Sequence, residues 1–468
     1  MVRDVSTSAR EPVAAVLERA PAPVAPTAVS ADAPLAGPHH IVVVGGGAGG
    51  LVLATKLGDR LGRHGKARIT LVDCALTHIW KPLLHEVAAG TLRADTAGLD
   101  YFAHAREHHF GFELGQMRGL DRARRELILD PAIGPGGAAL PGRRLGYNTL
   151  VIAVGSVLND FGVPGVREHC LYLDSPVQAE RIHQQLFGRF LRGHAEAASA
   201  GARQLRFAVV GAGATGVEFA AELRHAARHL VSYGLRGFDP DRDIEVRLIE
   251  AAPSVLPALP ERLQEATEHA LRELGVEVHT GAQVERVTAE GVYTRGGRLL
   301  PAELTVWTAG VKGPAWLADL DGLEVNRLNQ LVVDQTLKVT RDEHIFALGD
   351  CAACPRPGSD RPVPPRAQAA HQEAHLLARS LARRLEGKAP LPFVYKDYGS
   401  LISLSSSTIG NLMGNLFKSI TIEGFLARLA YLSLYKKHQI SLHGLSEVTL
   451  MSLGNLLHRR TRPQLKLH

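Results

Sequence analysis

One apolar pattern occurs twice in the chain. The run "HIVVVGGGAGG" (40–50) places four consecutive apolar β-formers before a glycine-rich turn, and the helix-compatible stretch "LVLATKLGDRLG" follows. A second apolar strand, "ARITLVD", then ends on Asp73. Unbroken apolar strands separated by a helical segment predict a parallel sheet buried on both faces. The order returns at "LRFAVVGAGATGVEFAAEL" and at "IEVRLIE", which ends on Glu250, with "YGLRGFDPDRD" inserted between helix and strand. Two further apolar strands run into glycine turns, "LGYNTLVIAVGS" (145–156) and "PAELTVWTAGV" (301–311), and read as paired crossings between two domains. "HIFALGD" supplies a late strand. The pattern predicts an α/β fold built from two Rossmann-like units.

The glycines between strand and helix suggest what these units hold. Gly45, Gly47 and Gly50 repeat in spacing as Gly211, Gly213 and Gly216. With 47 glycines in 468 residues, the spacing alone is weak; the preceding strand and following helix make it specific. In such a βαβ unit, backbone N–H groups at the helix start hold a pyrophosphate, and an acid at the end of the second strand bonds a ribose hydroxyl. Asp73 and Glu250 occupy that position. A carboxylate at Glu250 would repel a 2′-phosphate, which favours NAD(H) over NADP(H) in the second unit. Two fingerprints call for two dinucleotides, FAD in the first and NADH in the second. Gly349 admits close backbone approach, and Asp350 can accept a hydroxyl hydrogen bond from a ribityl chain.

Composition narrows the setting. Four cysteines (Cys74, Cys170, Cys351 and Cys354) in so long a chain are not a disulfide framework and suggest a reducing compartment. No apolar run is long enough for a transmembrane helix. Residues 1–38, rich in Ala, Pro and Val, read as a disordered tail without a secretory signal. The net charge of +6 is concentrated at one end: residues 411–468 carry eight Lys/Arg against two acids. Such a patch suits an anionic surface, membrane or nucleic acid.

With "THIWKPLLHEVAAGTL", "GATGVEFAAEL", "LPALPERL", "NRLNQLVV", "ALGDCAACPRP" and "PPRAQAAHQ" in view, the chain from residue 39 onward resembles the type II NADH dehydrogenases of bacterial respiratory chains, and its C-terminal "LYKKHQISLHG" and "RPQLKLH" are similar to the enterobacterial branch. The resemblance implies non-pumping electron transfer from NADH through FAD to a membrane quinone. It implies a flavin domain (39–163 and 305–393) interrupted by an NADH domain (164–304). It also implies a membrane-docking region (394–468) on the cytoplasmic face of the inner membrane, with no nucleic-acid partner and a homodimer left open. Gln368 and Gln372 match the family's quinone-side signature, and Glu218 matches a glutamate near the nicotinamide, so these three are the catalytic candidates. Lys81 is a candidate cation at the flavin edge. Ile422, Phe425, Leu426, Leu429 and Leu432 fall near one helical face, as in a basic amphipathic helix lying in a membrane interface.

The Cys351-x-x-Cys354 pair raises a rival reading, a dithiol or ferredoxin reductase. Its position after Gly349-Asp350 lies on the far side from a hydride acceptor, which makes the pair a bystander. No second Cys-x-x-Cys completes a zinc site, so no metal is expected. A flavoprotein that senses NADH without turnover is a further alternative.

Overall fold

Strand β1 (His40–Val44) is buried at every position, so both of its faces must be covered by other elements. It passes through Gly45 into helix α1 (Gly50–Leu57), and β2 (Arg68–Asp73) returns beside it in parallel. A computed structural model describes residues 37–200, 204–232, 239–404, 407–412 and 420–458. Of the chain's two units, Met1–Pro34 lies outside these residues and Leu35–His468 holds all of the sheets.

Helices α2 (Leu84–Ala89) and α3 (Tyr101–Glu107) lead to β3 (Gly111–Leu114), and β4 (Thr149–Ile152) pairs with the other edge of β1. The chain then crosses through β5 (Val157–Leu158) to a second parallel sheet, made of β6 (Cys170–Tyr172), β7 (Leu205–Val210), β8 (Ile244–Ile249), β9 (Val276–His279) and β10 (Leu304–Trp307), with α4 (Pro176–Ala200) and α5 (Ala214–Ser232) between its strands. It recrosses through β11 (Val311–Lys312), and β12 (Ile345–Ala347) completes the first sheet beside β4. The strand orders are β12-β4-β1-β2-β3 and β6-β10-β7-β8-β9. The two crossings hydrogen-bond to each other, Val157 opposite Lys312 and Leu158 opposite Val311.

Two expected boundaries move. The return to the first sheet, expected at 305, falls inside β10, which is still paired with β7 from Leu304 to Trp307. The crossing comes only after that apolar strand has been buried. The region 394–468 is likewise not all peripheral. Helix α6 (Ala367–Leu385) is followed by Phe393 and Tyr395, both buried in the first core. Strand β13 (Gly399–Leu404) buries Ile402 and Leu404 in the second core and pairs antiparallel with β14 (Ser407–Leu412), itself paired with β15 (Ile420–Glu423). Helix α7 (Gly424–His458) is broken at Gly444, where φ is 80°. Before the break it packs on the first domain: Tyr435 and His438 stack on Trp80 at 5.2 and 5.6 Å, and Leu442 is buried. After it, Leu445, Leu450 and Leu453 are 68%, 72% and 56% exposed. The side chains expected to form an amphipathic face, Ile422, Phe425, Leu426, Leu429 and Leu432, lie outside the described residues. No described helix is long and apolar enough to cross a membrane.

Candidate active site

The two fingerprints build the same cradle twice. Gly45 has φ 100° and lies so close to β4 that a Cβ there would meet Ala153 O at 2.4 Å. Its N–H donates to Val72 O at 2.8 Å, as that of Gly211 donates to Ile249 O at 2.8 Å. At the helix starts, a Cβ on Gly50 or Gly216 would lie 1.9 Å from the carbonyl oxygen of Gly45 or Gly211. Gly47 and Gly213, by contrast, face open space. The acids close the repeat. Asp73 accepts from Gly46 N–H (2.6 Å) and Ala75 N–H (2.8 Å), and Glu250 accepts from Ala212 N–H (2.7 Å) and Ala252 N–H (2.8 Å). Burial pushes the Asp73 carboxyl up, opposed by the Gly46 bond. A cradle with no side chain over its middle glycine, N–H groups at a helix start and an acid beside it fits a dinucleotide pyrophosphate and ribose.

Gly349, Asp350 and Lys81 converge at the carboxyl ends of β4 and β12. Ser156 Oγ donates to Asp350 Oδ2 at 2.8 Å, while Lys81 Nζ donates to Ser156 O at 3.0 Å and to Asp174 Oδ1 at 2.6 Å. Gly349, at φ 73°, donates its N–H to Glu373 Oε2 at 2.6 Å. Burial raises the Asp350 carboxyl and pushes that of Glu373 up to about 7. These residues sit outside the strand ends near the first fingerprint, the region where open α/β sheets bind ligands.

Glu218, on α5, is buried and accepts from Ser403 N–H at 3.0 Å. Burial pushes its carboxyl up to about 8 and the neighbouring His85 imidazole down to about 4. Their 3.6 Å contact is therefore between two neutral groups near pH 7 rather than an ion pair. Gln368 and Gln372 lie one turn apart on α6, and their carboxamides clamp the segment entering β13. Gln368 Nε2 donates to Gly399 O (3.0 Å) and its Oε1 accepts from Tyr398 N–H (3.2 Å); Gln372 Nε2 donates to Lys396 O (2.8 Å) and its Oε1 accepts from Lys396 N–H (3.0 Å).

Cys351 and Cys354 are free and fully buried, and burial pushes both thiols up to about 12. Neither is a thiolate at neutral pH, the form that dithiol chemistry requires.

Several residues of these clusters escape a reading of the sequence. Ser156 and Asp350 are 194 positions apart, and Lys81 and Asp174 are 93. Nothing local marks either pair. Glu373 does leave a signal, as a charge on the helical side that carries Ala369, Ala370, Ala374 and Leu377, all buried. Tyr101 donates to Gly46 O at 2.7 Å, beneath the first cradle.

Comparison with known proteins agrees with this geometry. Residues 39–374 match the family described as Pyridine nucleotide-disulphide oxidoreductase. A type II NADH:quinone oxidoreductase of Haemophilus influenzae is 43% identical over 444 residues, covering 92% of this chain and 100% of the relative. One of the same name from Staphylococcus aureus is 28% identical over 370 residues, covering 78% and 87%. Among solved structures, NDH2 from Plasmodium falciparum in complex with NADH superposes with a TM-score of 0.74 at 18% identity, over 92% of this chain and 100% of that one. At that identity the likeness is one of fold.

Proposed function

For a chain that belongs to the type II NADH:quinone oxidoreductases, within the pyridine nucleotide-disulphide oxidoreductase family, we propose that FAD occupies the first cradle, NADH the second, and that a quinone is met on the α6 side. The enzyme is an FAD-dependent NADH dehydrogenase that transfers two electrons to a quinone without ion pumping. Bound FAD supplies the two-electron relay between nucleotide and quinone. The observation that carries the assignment is the duplicated cradle, with matching hydrogen bonds at Asp73 and Glu250.

The chain's own residues divide the remaining work. Asp73 and Glu250 each receive a ribose hydroxyl, exchanging a backbone partner for it. Lys81 and Asp350, joined through Ser156, fix the flavin edge and the ribityl chain. Gly349 lets the backbone come close, and Glu373 holds the Gly349 turn. Glu218 is protonated at neutral pH, so it orients the nicotinamide as a neutral donor and holds a proton that quinone reduction consumes. Gln368 and Gln372 are uncharged donors that release segment 396–399 or share with it when a quinone carbonyl arrives. The flavin domain runs from 39 to the first crossing and from the second crossing to about 393, with the NADH domain between.

The membrane contact belongs to residues beyond Gly444. Exposed Leu445, Leu450, Met451 and Leu453 precede Arg459, Arg460, Arg462 and Lys466 in sequence, and apolar burial together with cations suits an anionic bilayer. This supports a peripheral protein on the cytoplasmic face of the bacterial inner membrane. A second copy of the chain covering the same leucines would make a dimer instead.

Stopped-flow absorbance tests the assignment. NADH should bleach the flavin band rapidly, and a quinone should restore it. A flavin that NADH reduces but no quinone reoxidises overturns the quinone assignment and leaves the ferredoxin-reductase or sensor reading.

A further inference from the structure

One turn along from Tyr101, helix α3 ends in a side-chain arrangement that the redox function does not use. His104, Glu107 and His108 bring one ligand atom each within 4.8 Å of one another. Spacings of three and four residues put all three on one face at the helix C-terminus, the end that favours a cation.

The hydrogen bonds decide which ring nitrogens are bare. Thr55 Oγ1 donates its proton to Leu51 O at 2.8 Å, so in the 2.8 Å contact with His104 the imidazole Nε2–H is the donor. That leaves the lone pair of His104 on Nδ1, which is buried and has no partner in a residue only 3% exposed. His108 Nδ1 lies 3.0 Å from Asp59 Oδ1; a carboxylate only accepts, so Nδ1 carries the proton. The lone pair of a neutral His108 is then on Nε2, again buried and without a partner. Thr55 and Asp59, four residues apart along and just beyond α1, thus orient two histidines four residues apart along and just beyond α3. Metal-binding histidines are characteristically held by such an arrangement, the second nitrogen donating to a hydroxyl or carboxylate. A buried acceptor left without a partner is destabilising, and two stand side by side here, their rings 4.3 Å apart.

We propose that His104, Glu107 and His108 form a binding site for one imidazole-favouring transition-metal dication of the Zn(II) class. Two imidazoles and a carboxylate match that ion's preferences. Three ligand atoms within 4.8 Å of one another can be gathered by side-chain rotation round one ion at the distance of about 2.0–2.2 Å that zinc takes. The His443 ring, on α7, is 5.6 Å from that of His104, so a bound ion would sit where the terminal helix meets α3. The expectation of no metal rested on the cysteines, and this set contains none.

The test uses full-length, tag-free enzyme carrying its FAD, treated with chelator, desalted and titrated with Zn(II), with Co(II) as a spectroscopic probe. One equivalent should be retained, with the visible bands of four- or five-coordinate Co(II). His108→Gln and Glu107→Gln, at partly exposed and exposed positions, should each weaken binding at least tenfold with flavin content unchanged. Asp59→Asn, which takes the charge from behind His108, should weaken it about 10- to 100-fold. Should His104→Gln fail to fold, His108→Gln still decides. Wild-type enzyme that retains no metal, or His108→Gln that binds it as tightly as wild type, overturns the proposal.

Discussion

Glu218 shows how burial can dominate a residue's chemistry. Desolvation raises its carboxyl from 4.5 to about 8, with Glu86 and Glu222 adding to the shift and the Ser403 N–H opposing it. A folded-state value above the unfolded one gives stability that is complete below about pH 4.5 and is lost as pH rises through about 8. Glu218→Gln keeps the shape without the ionisation. The gap in Tm between the variant and wild type should therefore widen in the variant's favour from pH 5 to pH 9, by the several degrees that a few kcal/mol represents. A gap constant with pH would mean that Glu218 does not titrate in this range. Charge also governs the second cradle. A 2′-phosphate would meet Glu250, so NADH should be preferred over NADPH by roughly 30- to 1000-fold in kcat/KM, from a penalty on the order of 2–4 kcal/mol; equal values contradict the assignment. Cys351 and Cys354 make the opposite case, two residues of one reactive type made inert by burial. Cys351→Ala with Cys354→Ala should leave NADH:quinone turnover within about threefold of wild type. A hundredfold loss with FAD still bound would restore the dithiol reading.

At the scale of elements, the glycines of one fingerprint separate folding from binding. Gly213 faces open space, so Gly213→Ala should leave Tm within about 1 °C of wild type and raise the KM for NADH at least tenfold, because the added methyl fills the pyrophosphate cradle. Gly216→Ala drives a Cβ to 1.9 Å from Gly211 O and should lower Tm as well. Thermal melts alongside NADH titrations check both; equal effects of the two variants would place the cradle elsewhere. This much was legible in the sequence, since strand, glycine spacing, helix and terminal acid are consecutive and each follows from local sterics or burial. The acids' backbone partners Gly46 and Ala212 were not read there, because the same unit was read as pairing each acid with a ribose hydroxyl. The Lys81–Ser156–Asp350 cluster was not legible, because only the closure of the first sheet by β12 joins its three segments. Glu373 left a signal, a charge on a buried helix face, that the sequence reading passed over. In the terminal region, apolar spacing identifies a face to be covered but not what covers it. For β13, and for Tyr435, His438 and Leu442 of α7, the cover is the protein's own two domains.

Across the whole molecule, the terminal helix joins two roles that Gly444 divides. Ahead of it, His438 Nε2 lies 3.1 Å from His78 Nε2, and His78 Nδ1 donates to Gly46 O at 2.9 Å, so this half of α7 reaches the first cradle through a single side chain. Beyond it, Leu445, Leu450 and Leu453 are bare, and Arg459, Arg460, Arg462 and Lys466 follow in sequence. Removing residues 411–468 deletes both halves and should release FAD as well as membrane, because Trp80 and His78 lose their cover. Removing only 444–468 should abolish sedimentation with anionic vesicles and slow long-chain quinone reduction, while flavin content and NADH oxidation by a soluble acceptor stay near wild type. High salt should release the full-length protein only in part. At 1 M the Debye length falls to about 3 Å and the cations are screened, but apolar burial is not weakened and many salts strengthen it. If the 444–468 deletion still sediments with vesicles and its mass in solution falls from dimer to monomer, the leucines belong to a second copy of the chain, and the bilayer is met by another surface.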